Sequence, residues 1–237
     1  MNAIEKLLSI ASNEVGYLEK KNGNSLYNKT ANAGSANYTK YGYEMNKLYP
    51  ATMDYPAAWC DCFVDWCFVQ AFGKETAMRI LHKFDDYTVN SAGYYKNNKE
   101  WYTTPKIGDQ IFFKNANGGI CHTGIVYKVD NTYVYTIEGN TSSVSGVVAN
   151  GGAVEKKKYA RSYNRIAGYG RPNYSLVKEN KKMLETGNDI IWELMNGKYK
   201  LEILEVDKAV KALDKAKNMP EVASLYWILY KLVNGNG

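Results

Sequence analysis

The stretch Trp59-Cys60-Asp61-Cys62-Phe63-Val64-Asp65-Trp66-Cys67-Phe68-Val69 is the part of the chain that best indicates its fold. It follows Pro56 and is largely apolar, which predicts a buried helix from about Trp59 to Phe72, closed by Gly73. Cys60 would stand in the first turn of that helix, where the helix dipole favours a thiolate over a thiol. A cysteine in this position is a candidate nucleophile.

The stretch Cys121-His122-Thr123-Gly124-Ile125-Val126 predicts the start of a buried strand. The chain has only two histidines, so His122 is almost the only candidate for the base that accepts and returns a proton. The other, His82, lies beside Lys83 and is expected to be a solvated residue at a helix end. Taken alone, Cys60 could be a buried structural thiol, but its combination with His122 on a strand and with an acid and an amide beyond it favours a cysteine hydrolase.

The turn between Val129 and Tyr133 decides which group can support the histidine. If that turn holds three residues, Val129 faces Tyr133 and His122 faces Asn140, with Glu138 diagonal to His122 on the same face. Glu138 or Asn140 would then accept a hydrogen bond from the ring nitrogen that faces away from the thiol. A two-residue turn would instead place Glu138 on the opposite face, without this role.

The other cysteines are predicted to be structural. Cys62 and Cys67 are expected to be small core residues of the same helix, and Cys121 to pack in the core on the side of its strand opposite His122. A zinc site built from the four cysteines and His122 is disfavoured, since the spacing Cys-x-Cys-x4-Cys matches no common zinc motif. No metal and no cofactor is predicted.

Composition and pattern predict one α+β domain with a small appendage. The 237 residues are 45% hydrophobic and 23% charged, as in ordinary soluble proteins. The predicted helices precede the predicted strands, which favours helices packed on an antiparallel sheet. The expected elements are a helix from Met1 to near Gly16, a long loop from Lys20 to Pro50, a short helix at Glu75–Leu81, strands at Gln110–Phe113, His122–Val129 and Tyr133–Ile137, a hairpin at Gly146–Tyr159 and a strand at Ile166–Arg171.

The remainder of the chain predicts a separate helical part. The expected division is a catalytic domain at 1–174, a linker at 175–182 and three short helices at 183–237. The first 175 residues contain 20 of the 30 basic and 15 of the 24 acidic side chains, a net charge of +5, which leaves +1 for the rest. This basic excess suits an anionic partner such as a cell wall with teichoic acid, whereas no nucleic-acid motif or dense basic face is present.

The motifs together resemble the CHAP family of cysteine-dependent peptidoglycan amidases and peptidases. The resemblance rests on Trp59-Cys60-Asp61-Cys62-Phe63-Val64, on Pro105-Lys106-Ile107-Gly108-Asp109-Gln110-Ile111-Phe112-Phe113, on His122-Thr123-Gly124-Ile125-Val126 and on Glu138-Gly139-Asn140. It covers roughly the first 172 residues. It implies a papain-like α+β fold in which the helix of Cys60 packs on an antiparallel sheet.

The resemblance also implies a role for each site residue. Cys60 would be the nucleophile, and His122 the general base and then the general acid. Glu138 would orient the imidazole, and Asn140 would support it or the oxyanion. The substrate groove would involve the Asn32-to-Tyr43 loop, and the candidate substrate-binding residues are Trp59, Tyr38, Tyr41, Trp101 and Tyr102. Some phage members bind calcium through a run of aspartates, and the sequence shows no such run.

With its separate tail, the whole chain resembles a phage or prophage endolysin from a low-GC Gram-positive host. The stretch Asn188–Leu194 is similar to one in the helical ends of clostridial phage lysins. Trp192, Tyr226 and Trp227 are the candidate wall-binding residues of this part. The alternative is that the helices form a folding cap or an oligomerisation element.

No secretory signal and no apolar stretch that could span a membrane is recognised at the sequence level. The expectation is therefore synthesis in the cytoplasm, with action on the wall after release through a holin-type pore or lysis. Four cysteines in that compartment are expected to be thiols.

Three other functions are alternatives to the endolysin interpretation. An NlpC-type γ-glutamyl endopeptidase uses the same cysteine and histidine, but commonly has a second histidine where Glu138 and Asn140 stand here. An interbacterial wall-degrading effector would use the same chemistry as an endolysin. A non-catalytic wall-binding protein on a decayed scaffold is disfavoured because all the reactive residues are present.

Overall fold

The computed structural model describes residues 1–177. Its helices are Ala3–Glu14 (α1), Lys40–Leu48 (α2), Cys60–Phe72 (α3), Lys74–Leu81 (α4) and Thr88–Asn97 (α5). Its strands are Trp101–Tyr102 (β1), Gln110–Lys114 (β2), Ile120–Val129 (β3), Tyr133–Thr141 (β4), Ala153–Ala160 (β5) and Ile166–Gly170 (β6). The three helices expected at 183–237, with Trp192, Tyr226 and Trp227, lie outside the described residues.

Contacts within the chain define two compact units. The first comprises Met1–Ala71 and Ala77–Asn173. Of the second, the structure describes Phe72–Thr76 and Tyr174–Val177. The domain limits 1–174, 175–182 and 183–237 remain a prediction.

The strands of the described part form one six-stranded sheet in the order β1-β6-β2-β3-β4-β5. Each pair of neighbouring strands is antiparallel. The helices precede the sheet in the chain, so the predicted mixture of helices with an antiparallel sheet is confirmed. The strands of His122 and Glu138, β3 and β4, are adjacent in the interior of the sheet.

Two helices and one strand were missed, and one hairpin was wrong. The loop expected from Lys20 to Pro50 contains α2, and α5 and β1 were not predicted at all. Thr39 caps α2 by accepting a hydrogen bond from the Gly42 amide at 3.0 Å, whereas α5 has no side-chain cap. Both short helices contain Asn and Gly, so their sequences carry little helical propensity and tertiary contacts decide their conformation. The expected hairpin at Gly146–Tyr159 is replaced by a loop that leads into β5.

The two faces of the sheet have different neighbours. One face carries an apolar cluster that consists of Ile111, Phe113, Val126, Val134, Tyr159 and Tyr169, all buried. On the other face Gln110 donates a hydrogen bond to Asp61 of α3 at 2.9 Å. Helix α3 also approaches the β4 backbone closely, because a Cβ added at Gly139 would lie 2.6 Å from the Cβ of Phe63. The contacts of Gln110 and Gly139 therefore fix the helix that begins at Cys60 against the sheet.

Two carboxyl groups are buried inside α3, at Asp61 and one turn later at Asp65. Burial raises the pKa of Asp61 to about 7, and the hydrogen bond from Gln110 offsets only part of this effect. Burial and the neighbouring Asp61 also raise the pKa of Asp65. The folded state therefore holds protons on α3 that the unfolded chain would release near pH 4.

We expect the substitution Asp61→Asn to change how stability depends on pH. Stability contributed by neutral Asp61 is present below the unfolded pKa and is lost as the pH rises through about 7. An amide keeps the acceptor for Gln110 but cannot ionise. The melting temperature of the variant relative to wild type should therefore rise by roughly 2 °C or more between pH 5 and pH 8. The same relative melting temperature at both pH values would contradict this expectation.

Candidate active site

Cys60 is the first residue of α3, and its side chain is nearly buried, with 5% of the residue exposed. The first amide groups of an α-helix have no partner within the helix and carry partial positive charge. A thiolate at this position, and an oxyanion that forms beside it, would be stabilised by those amides. The sequence-based placement of Cys60 at a helix start is therefore confirmed.

His122 is held by a carboxylate on the neighbouring strand. Its Nε2 lies 3.0 Å from Oε2 of Glu138, and both side chains are fully buried. The ring of Phe113 stacks on the imidazole, with centroids 5.9 Å apart and an interplanar angle of 29°. Because Nε2 is occupied by Glu138, Nδ1 is the ring nitrogen left for the thiol of Cys60.

The pairing of β3 with β4 gives the expected register at the site, although the turn prediction was wrong. Val129 pairs with Val134 and not with Tyr133, so the connection holds one more residue than expected. An irregularity between Val126 and Lys128 compensates for this extra residue, and Ile125 pairs with Ile137. Glu138 therefore lies on the face of His122, as the three-residue turn had predicted.

Gly124 gives Glu138 the room to reach the histidine. A Cβ added at Gly124 would lie 2.5 Å from Cγ of Glu138 and 2.9 Å from the carbonyl oxygen of Ile137. Glu138 thus occupies the space that a side chain at position 124 would need. The glycine two residues after His122 is a steric requirement of the pair.

The charge state of His122 depends on both of its partners. Burial acts to lower its pKa, but the hydrogen bonds and negative charges of Cys60 and Glu138 outweigh burial and raise it to about 10. A raised pKa means that the protonated imidazole of His122 is favoured at neutral pH. The pair is therefore suited to hold a thiolate and later to supply a proton.

The hydrogen bonds of Asn140 in the described structure go to groups other than the imidazole. Its Nδ2 donates to the carbonyl oxygen of Ala149 at 3.3 Å, and its own carbonyl oxygen accepts from the amide of Gly151 at 2.9 Å. Its φ of 53° places it in the left-handed region. Asn140 thus connects the end of β4 to the loop before β5, while its buried Oδ1 has no partner among the described residues. A role toward the oxyanion stays a prediction.

Two of the five candidate substrate-binding residues are core residues. Trp59 and Tyr41 are 1% and 0% exposed, and their rings stack with centroids 5.5 Å apart. The indole N–H of Trp59 also donates to Glu19 at 2.9 Å. Both surfaces are covered by protein in this structure, and substrate binding by Trp59 and Tyr41 stays a prediction.

The other three binding candidates lie in different places. Tyr38 is half-buried, and its ring contacts that of Tyr55 with centroids 5.6 Å apart. Trp101 and Tyr102 form β1, at the sheet edge three strands away from β3. Neighbouring strands are about 4.8 Å apart, so this edge lies roughly 14 Å from the strand of His122. The structure does not bring Trp101 and Tyr102 to the histidine.

The remaining thiols and the second histidine have other surroundings. Cys62 and Cys67 are buried free thiols, as expected. Cys121 is only half-buried, and a guanidinium nitrogen of Arg165 lies 3.8 Å from its sulfur, so its predicted place in the core is wrong. His82 is part-buried and lies 2.7 Å from a carboxylate oxygen of Glu100, so it is not a freely solvated residue. Within residues 1–177 no group of three or more His, Cys, Asp or Glu side chains is arranged to hold a metal ion.

Comparison with known families gives a match in the part of the chain that contains the candidate residues. Residues 50–140 match the family model of the CHAP domain. The match supports a CHAP-domain peptidoglycan hydrolase. The matched CHAP region includes Cys60, His122 and Glu138, and it ends at Asn140.

No curated protein matches the chain significantly. Among solved structures, the crystal structure of Ly7917 is similar at 11% sequence identity, with a TM-score of 0.41. That alignment covers 72% of this chain and 62% of the Ly7917 chain, so this chain spans less than two thirds of that protein.

None of the helices within residues 1–177 is long and apolar enough to cross a membrane.

Sequence reasoning missed two residues that contact Glu138. The hydroxyl of Thr136 donates to Oε1 of Glu138 at 2.5 Å, and the hydroxyl of Tyr159 donates to Oε2 at 3.2 Å. Thr136 could have been found from strand alternation, since it lies two residues before Glu138 and so on the same face. Tyr159 could not, because the strand that carries it was assigned to the wrong hairpin.

The substitution Gly124→Ala should displace Glu138 and lower hydrolysis of cell-wall peptidoglycan about 10-fold or more, since the carboxylate could no longer reach Nε2 of His122. The measurement is the rate of peptidoglycan solubilisation at equal concentrations of folded protein. Circular dichroism checks that each variant is folded. Gly93→Ala is the matched control, because a Cβ at this helical position meets no atom within 4 Å. Full activity of Gly124→Ala would show that the glycine is not needed.

The substitution Glu138→Gln should lower the pKa of His122, because it removes one of the two charges that raise it. The alkaline limb of the pH–activity profile should then move to lower pH, and the rate at its optimum should fall about 100-fold or more. Glu100→Gln is the matched control, since it removes the carboxylate from the other histidine, His82. An alkaline limb that shifts in both variants, or in neither, would contradict the role of Glu138.

Proposed function

We propose that the chain is a cysteine-dependent peptidoglycan hydrolase that cleaves an amide bond of the cell-wall stem peptide. The activity would be that of an N-acetylmuramoyl-L-alanine amidase or of an endopeptidase. The observation that carries this proposal is the fully buried contact between His122 and Glu138, beside a cysteine at a helix start. The CHAP match over residues 50–140 supports the same substrate class.

The proposed reaction follows from the order of the three groups. His122 removes the proton of the Cys60 thiol, and the sulfur attacks the carbonyl carbon of the scissile amide. The negative charge on the carbonyl oxygen is stabilised by amide groups at the start of α3. The imidazolium then protonates the departing amine as the C–N bond breaks. A water, deprotonated by the same imidazole, hydrolyses the thioester and releases Cys60.

Glu138 has two effects in this scheme. It accepts the hydrogen bond from Nε2, which fixes the tautomer that leaves Nδ1 free to accept the thiol proton. It also stabilises the imidazolium by its negative charge. Both effects need a carboxylate that is oriented before substrate arrives, and the buried position of Glu138 supports that requirement.

The arrangement supports the CHAP type of site over the NlpC type. In the NlpC type a second histidine commonly orients the first, and here the second histidine, His82, contacts Glu100. A carboxylate, Glu138, stands in the orienting position instead. The presence of an intact cysteine, histidine and acid also disfavours a purely wall-binding protein.

We further propose that the enzyme acts as an endolysin that reaches the wall after holin-type release or lysis. The predicted helices at 183–237 would then raise the local enzyme concentration on the wall. An interbacterial effector with the same chemistry is the alternative. A holin gene next to the coding sequence would favour the endolysin, and an immunity gene the effector.

The substitution Cys60→Ala should abolish hydrolysis of purified Gram-positive peptidoglycan and leave the fold intact, because it removes only the attacking sulfur. The soluble products of wild-type digestion are analysed by mass spectrometry. Free stem peptides would identify an amidase, and glycan-linked fragments with new amine ends an endopeptidase. Cys121→Ala is the matched control, since it removes a half-buried thiol next to His122 in sequence. Peptidoglycan products that do not depend on Cys60 would overturn the proposal.

A further inference from the structure

We propose that Thr136 and Tyr159 are positioning residues that hold the Glu138 carboxylate in the orientation in which it supports His122. This inference rests on the proposed hydrolase function. The carboxylate accepts three hydrogen bonds. Its Oε2 accepts from Nε2 of His122 at 3.0 Å and from the hydroxyl of Tyr159 at 3.2 Å, and its Oε1 accepts from the hydroxyl of Thr136 at 2.5 Å.

A buried carboxylate needs such donors. Glu138 is fully buried, and a charge removed from water is costly unless hydrogen bonds or an opposite charge replace the lost hydration. Within residues 1–177 no lysine or arginine forms an ion pair with Glu138. The nearby cation of Lys157 is directed at backbone carbonyl oxygens of Ser142 and Val144. The hydroxyls of Thr136 and Tyr159 therefore supply much of the replacement for water.

Thr136 fixes the rotation of the carboxylate. It lies two residues before Glu138 on β4, so the two side chains share one face of the sheet. Its hydroxyl takes Oε1, which leaves Oε2 directed at the imidazole. If Oε1 had no donor, the carboxylate could rotate about its last bond and weaken its alignment with Nε2 of His122.

Tyr159 holds the other oxygen from the neighbouring strand. Its ring is packed between Phe113, at 4.7 Å between centroids, and Tyr163, at 5.5 Å. Phe113 is also the ring that stacks on His122, so one apolar cluster positions both partners of Glu138. Burial, with the charge of Glu138, raises the pKa of Tyr159 far above its usual value. The hydroxyl is therefore a donor at every working pH.

The groups that face Glu138 come from three strands. His122 is on β3, Thr136 is on β4 itself, and Tyr159, Lys157 and Glu155 are on β5, with Glu155 directly opposite Glu138. Cys60 of α3 acts on His122 and so indirectly on the pair. The hydroxyls are the members of this set that donate to Glu138 without adding a charge.

The test compares Tyr159→Phe and Thr136→Val with wild type in the full chain. Each variant keeps the shape of its side chain and removes one donor, so kcat should fall about 10-fold with little change in KM. Because a carboxylate turned away from Nε2 raises the pKa of His122 less, the alkaline limb of the pH–activity profile should move to lower pH. Thr136→Ser should restore the profile, and Tyr163→Phe, which changes the ring stacked on Tyr159, should leave it unchanged.

A second measurement reports on the imidazole without turnover. The ring ¹⁵N signals of the two histidines can be assigned by comparison with His82→Gln, since the chain has only His82 and His122. In Tyr159→Phe and Thr136→Val the His122 signals should change from those of the imidazolium to those of the neutral ring at lower pH than in wild type, because a misaligned carboxylate raises the pKa of His122 less. Unchanged signals together with an unchanged pH profile would overturn the positioning role, even if the melting temperature fell.

Failure of this inference is distinguishable from failure of the proposed function. If wild type shows no peptidoglycan hydrolysis that Cys60→Ala abolishes, the hydrolase proposal fails. If wild type is active and both Tyr159→Phe and Thr136→Val keep its kcat and pH profile, the positioning inference alone fails.

Discussion

The contact between Nε2 of His122 and Oε2 of Glu138, fully buried between two strands, is the constraint on which the rest of the site depends. A carboxylate in that position is stable only if its oxygens find donors, and a histidine there is useful only if one nitrogen stays free. The neighbours of the pair meet these needs. Gly124 makes room for Glu138, and the hydroxyls of Thr136 and Tyr159 complete its hydrogen bonds.

Helix α3, which begins at Cys60, is held against the sheet by contacts that differ from those of the pair. His122 shares a face with the apolar cluster around Phe113, whereas α3 contacts the opposite face through Gln110 and Asp61. The missing side chain of Gly139 lets the helix approach the β4 backbone next to Glu138. On β4, Glu138 therefore contacts His122 while its neighbour Gly139 accommodates α3, since alternate side chains point to opposite faces of the sheet.

The sequence was sufficient for the type of fold and for the elements that carry the candidate residues Cys60, His122 and Glu138. The candidates could be found from local patterns: a cysteine at the start of an apolar helix, a histidine on a strand, and an acid two residues before an asparagine. The structure buries all four of these residues. The sequence was not sufficient for α2 and α5, whose short sequences have weak helical propensity, or for the aromatic residues Trp59 and Tyr41. A tyrosine suits a binding groove and a core equally well, so composition could not separate the two.

The register of β3 and β4 separates what the sequence determined from what only the tertiary structure decided. The sequence by itself determined that His122 and Glu138 lie on strands joined by a short turn, because hydrophobic alternation and turn residues are local properties. Whether they meet depended on one extra residue in the turn and a compensating irregularity near Tyr127. Only the tertiary structure decided this, and it also decided that Thr136 and Tyr159 donate hydrogen bonds to Glu138. The physical reason is that a buried polar atom is destabilising unless it has a hydrogen-bond partner. Those partners come from neighbouring strands that are distant in the sequence.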